Sequence, residues 1–119
     1  MYFWFFMLVM NLLIPVTMTV AGRLFMHKPP KNINNVYGYR TSRSTRSIEA
    51  WRFAHLYFGR IWYRWGLVLL LVSILVMIII VGRDIETVGT AGGILCMLQC
   101  LVMIFPIIPT ERALKRKFG

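Results

Sequence analysis

The sequence predicts an all-α integral membrane protein with three transmembrane helices and a cytoplasmic interfacial amphipathic helix before the second span. Three observations predict it. The chain of 119 residues contains three long apolar blocks; 58% of it is hydrophobic and only 15% charged; and its 14 Lys and Arg, set against 4 acidic residues for a net charge of +10, cluster on one side of the blocks. A soluble domain carries roughly a quarter of its residues as charges, so this chain must share its core with lipid.

The apolar blocks cover residues 2–26, 62–81 and 88–108. Each reaches the roughly 20 residues that cross about 30 Å of hydrocarbon at about 1.5 Å per residue. The first block has no positive residue ahead of it and exceeds the apolar core of a secretory signal, so it is read as a retained span. Within it, Pro15 cannot donate the backbone hydrogen bond that the Asn11 carbonyl would otherwise accept. A polar side chain and a freed carbonyl therefore share one turn.

Residues 27–61 form a basic segment. His27, Lys28, Pro29, Pro30 and Lys31 force an extended exit from the first span, and the asparagines at 32, 34 and 35 read as turn chemistry. A helix restarts near Ser47, which suits an N-cap, with Glu49 in the first turn at the positive dipole end. Ile48, Trp51, Ala54, His55 and Phe58 recur at helical spacing, as in an interfacial amphipathic helix entering the second span at Gly59. No Ser, Cys or Asp stands where it could form a triad with His55, so the ring is read as a polar tip at the headgroup level and no catalytic residue is assigned.

Counted from the outer ends of their spans, Asn11, Ser73 and Gln99 lie about 14 to 17 Å deep. They are expected to face one another as interhelical hydrogen-bonding groups, each worth about 0.6 kcal/mol. The spans have no ionisable residue other than cysteine in their interiors, so the usual mark of an ion-coupled transporter is missing. Cys96 and Cys100 are one turn apart without other metal-ligating spacing, so no metal or cofactor is expected. Gly89 and Gly93, widened by Gly92, form a small-residue patch that lets another helix approach, within the chain or across a homodimer.

Nine Lys and Arg fall between the first two spans, from Arg23 to Arg64, and four more in the tail 109–119; the loop between spans two and three has Arg83 beside Asp84 and Glu86. The positive-inside rule then places the N-terminus outside and the C-terminus in the cytoplasm. Basic residues flanking spans on one side act as topology determinants and anionic-lipid contacts, so nucleic-acid binding is set aside.

The run Asn35, Tyr37, Gly38, Tyr39, Arg40, Thr41, followed by Ser44, Ser47, Glu49, Trp51, Ala54 and Gly59, closely resembles the signature of the SdpI family of bacterial membrane proteins. Pro109, Thr110, Glu111, Leu114 and Phe118 resemble the family's closing pattern. The resemblance covers the segment before span two, spans two and three, and the tail, with span one fitting in position. It implies a single SdpI-like membrane domain over 1–119 in the bacterial cell membrane, in a short form without the extra N-terminal membrane region of longer members. The founding member protects a producer cell from its own secreted killing peptide and is held to recruit a transcriptional repressor to the membrane. The resemblance thus implies immunity by binding, with a toxin peptide and a cytoplasmic repressor as partners.

For the matched residues, Gly38 permits a tight turn or a positive φ that directs Arg40 toward the bilayer. Arg40 then pairs with Glu49, pairs with Glu111, or binds a lipid phosphate, and these alternatives stay open. Thr41, Ser44 and Ser47 offer hydroxyls to the same network, and Trp51 is expected to anchor the interfacial helix at headgroup depth. An anionic-lipid or polyprenyl-phosphate binding or transport protein is the alternative function.

Overall fold

A computed structural model describes residues 2–34 and 37–119. Four α-helices follow in order: α1 Tyr2–His27, α2 Ile48–Ile79, α3 Ile85–Ile104 and α4 Ile107–Phe118. There is no strand among the described residues. Tyr2–His27, Ile48–Ile79 and the combined stretch Ile85–Phe118 are each long and apolar enough to cross a membrane. The molecule is a narrow rod, 52 × 23 × 21 Å, longer than the roughly 30 Å hydrocarbon layer.

α2 begins where its cap chemistry directs. Ser47 has extended backbone angles, and its side chain accepts from the Ala50 N–H at 3.1 Å. From Ile48 the helix runs 32 residues without interruption, about 48 Å at 1.5 Å per residue. The stretch 48–61, expected as an interfacial helix, thus forms the first turns of α2 itself. Gly59 does not end the helix; it lets α1 come close. A Cβ on Gly59 would lie 2.7 Å from the Gly22 carbonyl oxygen, and one on Gly22 would lie 2.5 Å from the Tyr63 nitrogen. Neither backbone can yield, so any larger residue at either position would force the helices apart.

α1 packs mainly against α2 and secondarily against α3. Its buried residues, Asn11, Pro15, Met18 and Gly22, are spaced by four, three and four, which keeps them on one face. Val88, Gly92, Leu95 and Gln99 form the matching face of α3. At the end of the bundle away from the basic segment, Met77, Ile80 and Val88 form a small core closed by Phe3, Trp4, Met7, Leu8 and Ala91. Trp4 Nε1 donates to the Met77 carbonyl at 2.8 Å. The opposite faces carry exposed apolar side chains, including Leu71, Ile79, Met97 and Leu101, as a lipid-facing surface requires.

Residues 107–118, which take in the end of the third apolar block and most of the tail, are helical. Pro106 interrupts the α3 ladder, but Phe105 and Pro106 both keep right-handed helical angles, so the chain kinks and continues. Pro109 falls in the first turn of α4, where no intrahelical N–H bond is lost. The three basic residues Lys115, Arg116 and Lys117 lie in the last turn, where cations suit the helix dipole. Phe118 packs edge-on against Phe53 at 5.7 Å, and Lys117 sits 4.7 Å over the same ring, so α4 folds back along the start of α2.

Candidate functional site

At the basic end of the bundle, residues 37–45 close onto α2 and α4 as a hydrogen-bonded clasp. Its foundation is the rigid exit from α1. The Pro30 carbonyl accepts from Trp51 Nε1 at 2.9 Å, with the indole wholly buried. Trp51 stacks obliquely on His55 at 4.4 Å, and Phe25 of α1 meets the other side of that ring edge-on at 5.0 Å.

His55 sits in the part of α2 ahead of the membrane span, and both of its nitrogens are engaged. Nε2 lies 2.9 Å from the Tyr39 backbone nitrogen and Nδ1 lies 2.7 Å from the Trp51 carbonyl oxygen. A backbone N–H can only donate, so Nε2 holds a lone pair and Nδ1 carries the proton. The ring is therefore neutral. Burial holds it below the ordinary histidine range, opposed by the Trp51 carbonyl. A neutral imidazole with both nitrogens occupied is a fastener and a poor general base.

Gly38 makes this contact possible. Its φ is +107°, and a Cβ there would lie 2.5 Å from His55 Nε2, the atom that accepts the next residue's N–H. Tyr39 then turns inward. Its ring packs on Phe58 at 4.7 Å within a cluster that also includes Ala50, Ala54 and Leu114. Its hydroxyl donates to Glu111 Oε2 at 3.0 Å. Burial and the Glu111 charge push the phenol well above its usual range, keeping it protonated as a donor.

Thr41 gives the second link to α4, donating through Oγ1 to Glu111 Oε2 at 3.1 Å. Ser44, wholly buried, completes the loop: its Oγ accepts from the Thr41 N–H at 2.8 Å and donates to the Tyr39 carbonyl at 2.9 Å. Thr110 is buried beside this junction, with its hydroxyl on the Pro106 carbonyl at 2.7 Å. Arg46 Nη1 reaches the Gly119 carbonyl oxygen at 3.1 Å. Through these bonds the loop is tied to α2 at His55 and to α4 at Glu111.

The predicted residues thus divide. Gly38, Tyr39, Thr41, Ser44, Trp51 and Glu111 meet in the clasp, with Ser47 capping the helix beneath it. Arg40 and Glu49 are exposed, and Tyr37 points outward with its N–H on Asn34 Oδ1 at 2.9 Å. Asn35 lies outside the described residues. Two expectations are corrected. Trp51 and His55 do not present their rings to lipid; both are wholly buried inside the protein. The apolar stripe that suggested a lipid-facing helix is covered by the loop and by α1. The importance of His55 was missed because its partner is a backbone N–H sixteen positions earlier, which no side-chain spacing reveals.

Within the membrane layer, Asn11, Ser73 and Gln99 are all wholly buried and come together. Gln99 Nε2 donates to the Asn11 backbone carbonyl at 2.8 Å and to Ser73 Oγ at 2.6 Å. The carbonyl released by Pro15 is thereby satisfied from another helix. Asn11 Nδ2 bonds the Met7 carbonyl at 2.9 Å. Asn11 Oδ1 and Gln99 Oε1 remain without hydrogen-bond partners. On the small-residue patch, Gly92 is the position that meets α1, at Met7 and Asn11; Gly89 faces Phe3, and Gly93 has open space around it. No group of three or more metal-ligating side chains occurs among the described residues.

Comparison with known proteins gives a consistent assignment. The model of the SdpI/YfhL protein family matches residues 31–110, a stretch that includes most of the clasp and both following spans. The uncharacterized protein YfhL of Bacillus subtilis (strain 168) is 44% identical over 52 residues, which are 44% of this chain and 47% of that protein. The match therefore spans about half of the relative's length. No solved structure matches.

Proposed function

The chain belongs to the SdpI/YfhL protein family, and from that premise we propose that it protects its cell against a secreted membrane-active killing peptide, by binding and coupling and without catalysis. It is an SdpI-type, multi-pass membrane protein. The observation that carries the proposal is the clasp: the signature residues Tyr39 and Thr41 converge on Glu111, while the one buried imidazole is committed to the Tyr39 backbone. A site built for reaction would keep a nucleophile or base available; here these groups join elements.

In this reading the basic end is cytoplasmic, and little chain faces the other side, where α2 and α3 are joined through residues 80–84. A peptide arriving from outside is met in the bilayer, along the apolar faces of the helices. The clasp links α2 and α4, so a peptide that shifts α2 alters the basic face at which a cytoplasmic regulator would dock. The proposal is tested by expressing the wild type, Gly38→Ala and Glu111→Ala in a sensitive bacterium exposed to secreted peptides of the source organism. Protection by the wild type and its loss in both variants, at equal membrane levels, is expected. No protection by the wild type against any such peptide would overturn it.

A further inference from the structure

We infer that the angle between the end of α1 and the start of α2 is a binding site for the phosphate headgroup of an anionic membrane lipid, held by Lys28, Lys31 and Arg52. This is independent of the immunity proposal. The site is a depression of about 640 Å³, with Phe25, Met26 and Leu56 supplying apolar walls and those three cations its charge. Two neighbouring depressions extend it: one includes Arg23 and Lys28, and the other Lys28 and Lys31 beside Asn32 and Asn34. None of the three has an acidic residue in its lining.

Three features favour a lipid. The walls lie on the last turn of α1 and on the part of α2 just ahead of its span, where the apolar layer gives way to headgroups. An acyl chain continuing from the site would therefore run along lipid-facing surface. The cations are presented on a fixed frame, because Lys28 and Lys31 flank Pro29 and Pro30, and the buried Trp51 holds the Pro30 carbonyl directly beside Arg52. Fixing the donors in advance lowers the entropy cost of gathering them around one anion, and the Arg52 guanidinium suits a phosphate bidentately. The α1 C-terminus opposes an anion with about half a unit of negative charge, and three full positive charges outweigh it.

The test uses the full chain in detergent, titrated with phosphatidylglycerol or phosphatidylcholine and read by native mass spectrometry. Wild type should retain phosphatidylglycerol selectively. Neutralising the site in Lys28→Gln/Lys31→Gln/Arg52→Gln should weaken retention roughly fivefold per cation, on the order of 100-fold in all. The tail variant Arg112→Gln/Lys115→Gln/Arg116→Gln loses the same charge and should change retention only a few-fold. All six residues are exposed, and circular dichroism checks that each variant is folded. Leu56→Gln leaves every cation in place and should weaken phosphatidylglycerol while leaving inorganic phosphate unaffected. Equal losses from the two triple variants would reduce the effect to diffuse attraction and overturn the site. The absence of any preference for phosphatidylglycerol would overturn it as well. Displacement of phosphatidylglycerol by millimolar inorganic phosphate, with Leu56→Gln behaving as wild type, would make the occupant a soluble anion and overturn the lipid assignment.

Discussion

Replacing Gly38 with alanine should destabilise the protein far more than the same change at Gly82, and the difference measures the clasp. Both glycines have positive φ, +107° at Gly38 and +80° at Gly82. An L-residue in such a conformation costs about 1–2 kcal/mol at either position. Around Gly82 an added Cβ meets nothing within 4 Å, whereas at Gly38 it would stand 2.5 Å from His55 Nε2. Relief requires the imidazole to withdraw, which strips the buried Tyr39 N–H of its acceptor at a further cost of about 1–3 kcal/mol. Gly38→Ala should therefore cost about 2–5 kcal/mol, and Gly82→Ala should cost the strain alone. The assay is denaturant titration in mixed micelles followed by tryptophan fluorescence, with amide exchange at Tyr39 read in parallel. Equal losses for the two variants, or an unchanged Tyr39 exchange rate in Gly38→Ala, would refute the reasoning.

Three further outcomes follow from the same contacts. Glu111→Ala removes the acceptor shared by Tyr39 and Thr41, partly buried bonds to a charged group, and should cost about 2–4 kcal/mol in the same titration, whereas Glu111→Gln retains an acceptor oxygen and should cost less. Acidification should loosen the clasp. The folded His55 pKa is depressed, so the unfolded state binds the proton more readily, and the stabilisation present above the ordinary value of about 6.5 is lost as pH falls below it. The protection factor of the Tyr39 amide, its exchange corrected for the intrinsic rate at each pH, should fall over that interval, and His55→Gln should abolish the pH step. Gln99→Leu removes two interhelical bonds but also one unsatisfied oxygen, so its cost, measured by steric trapping in bicelles, should stay within about 1 kcal/mol.

The membrane helices were legible because lipid demands continuous apolar runs of fixed length, and the sequence has three. Depth could be read as well: a constant rise per residue puts Asn11, Ser73 and Gln99 on one level, and the structure brings them together. The small-residue patch was found by spacing, but helical phase decides which glycine faces α1, and it selects Gly92. Pro106 and Pro109 do not keep the tail from being helical, because the first turn of a helix tolerates proline. The clasp was the least legible part. An apolar stripe facing protein has the same periodicity as one facing lipid, so Trp51 and His55 were assigned to the wrong surroundings. Glu111 was recognised as a partner for the loop, and the structure brings it the hydroxyls of Tyr39 and Thr41, which residue spacing did not single out.

The central claim, that the signature loop is a structural clasp closed on a neutral His55, is tested most directly by side-chain nitrogen NMR of the two histidines at neutral pH. His55 should show a single tautomer, with Nδ1 protonated and Nε2 bearing the lone pair. A protonated Nε2 at His55, or averaging between its two tautomers, would contradict the account.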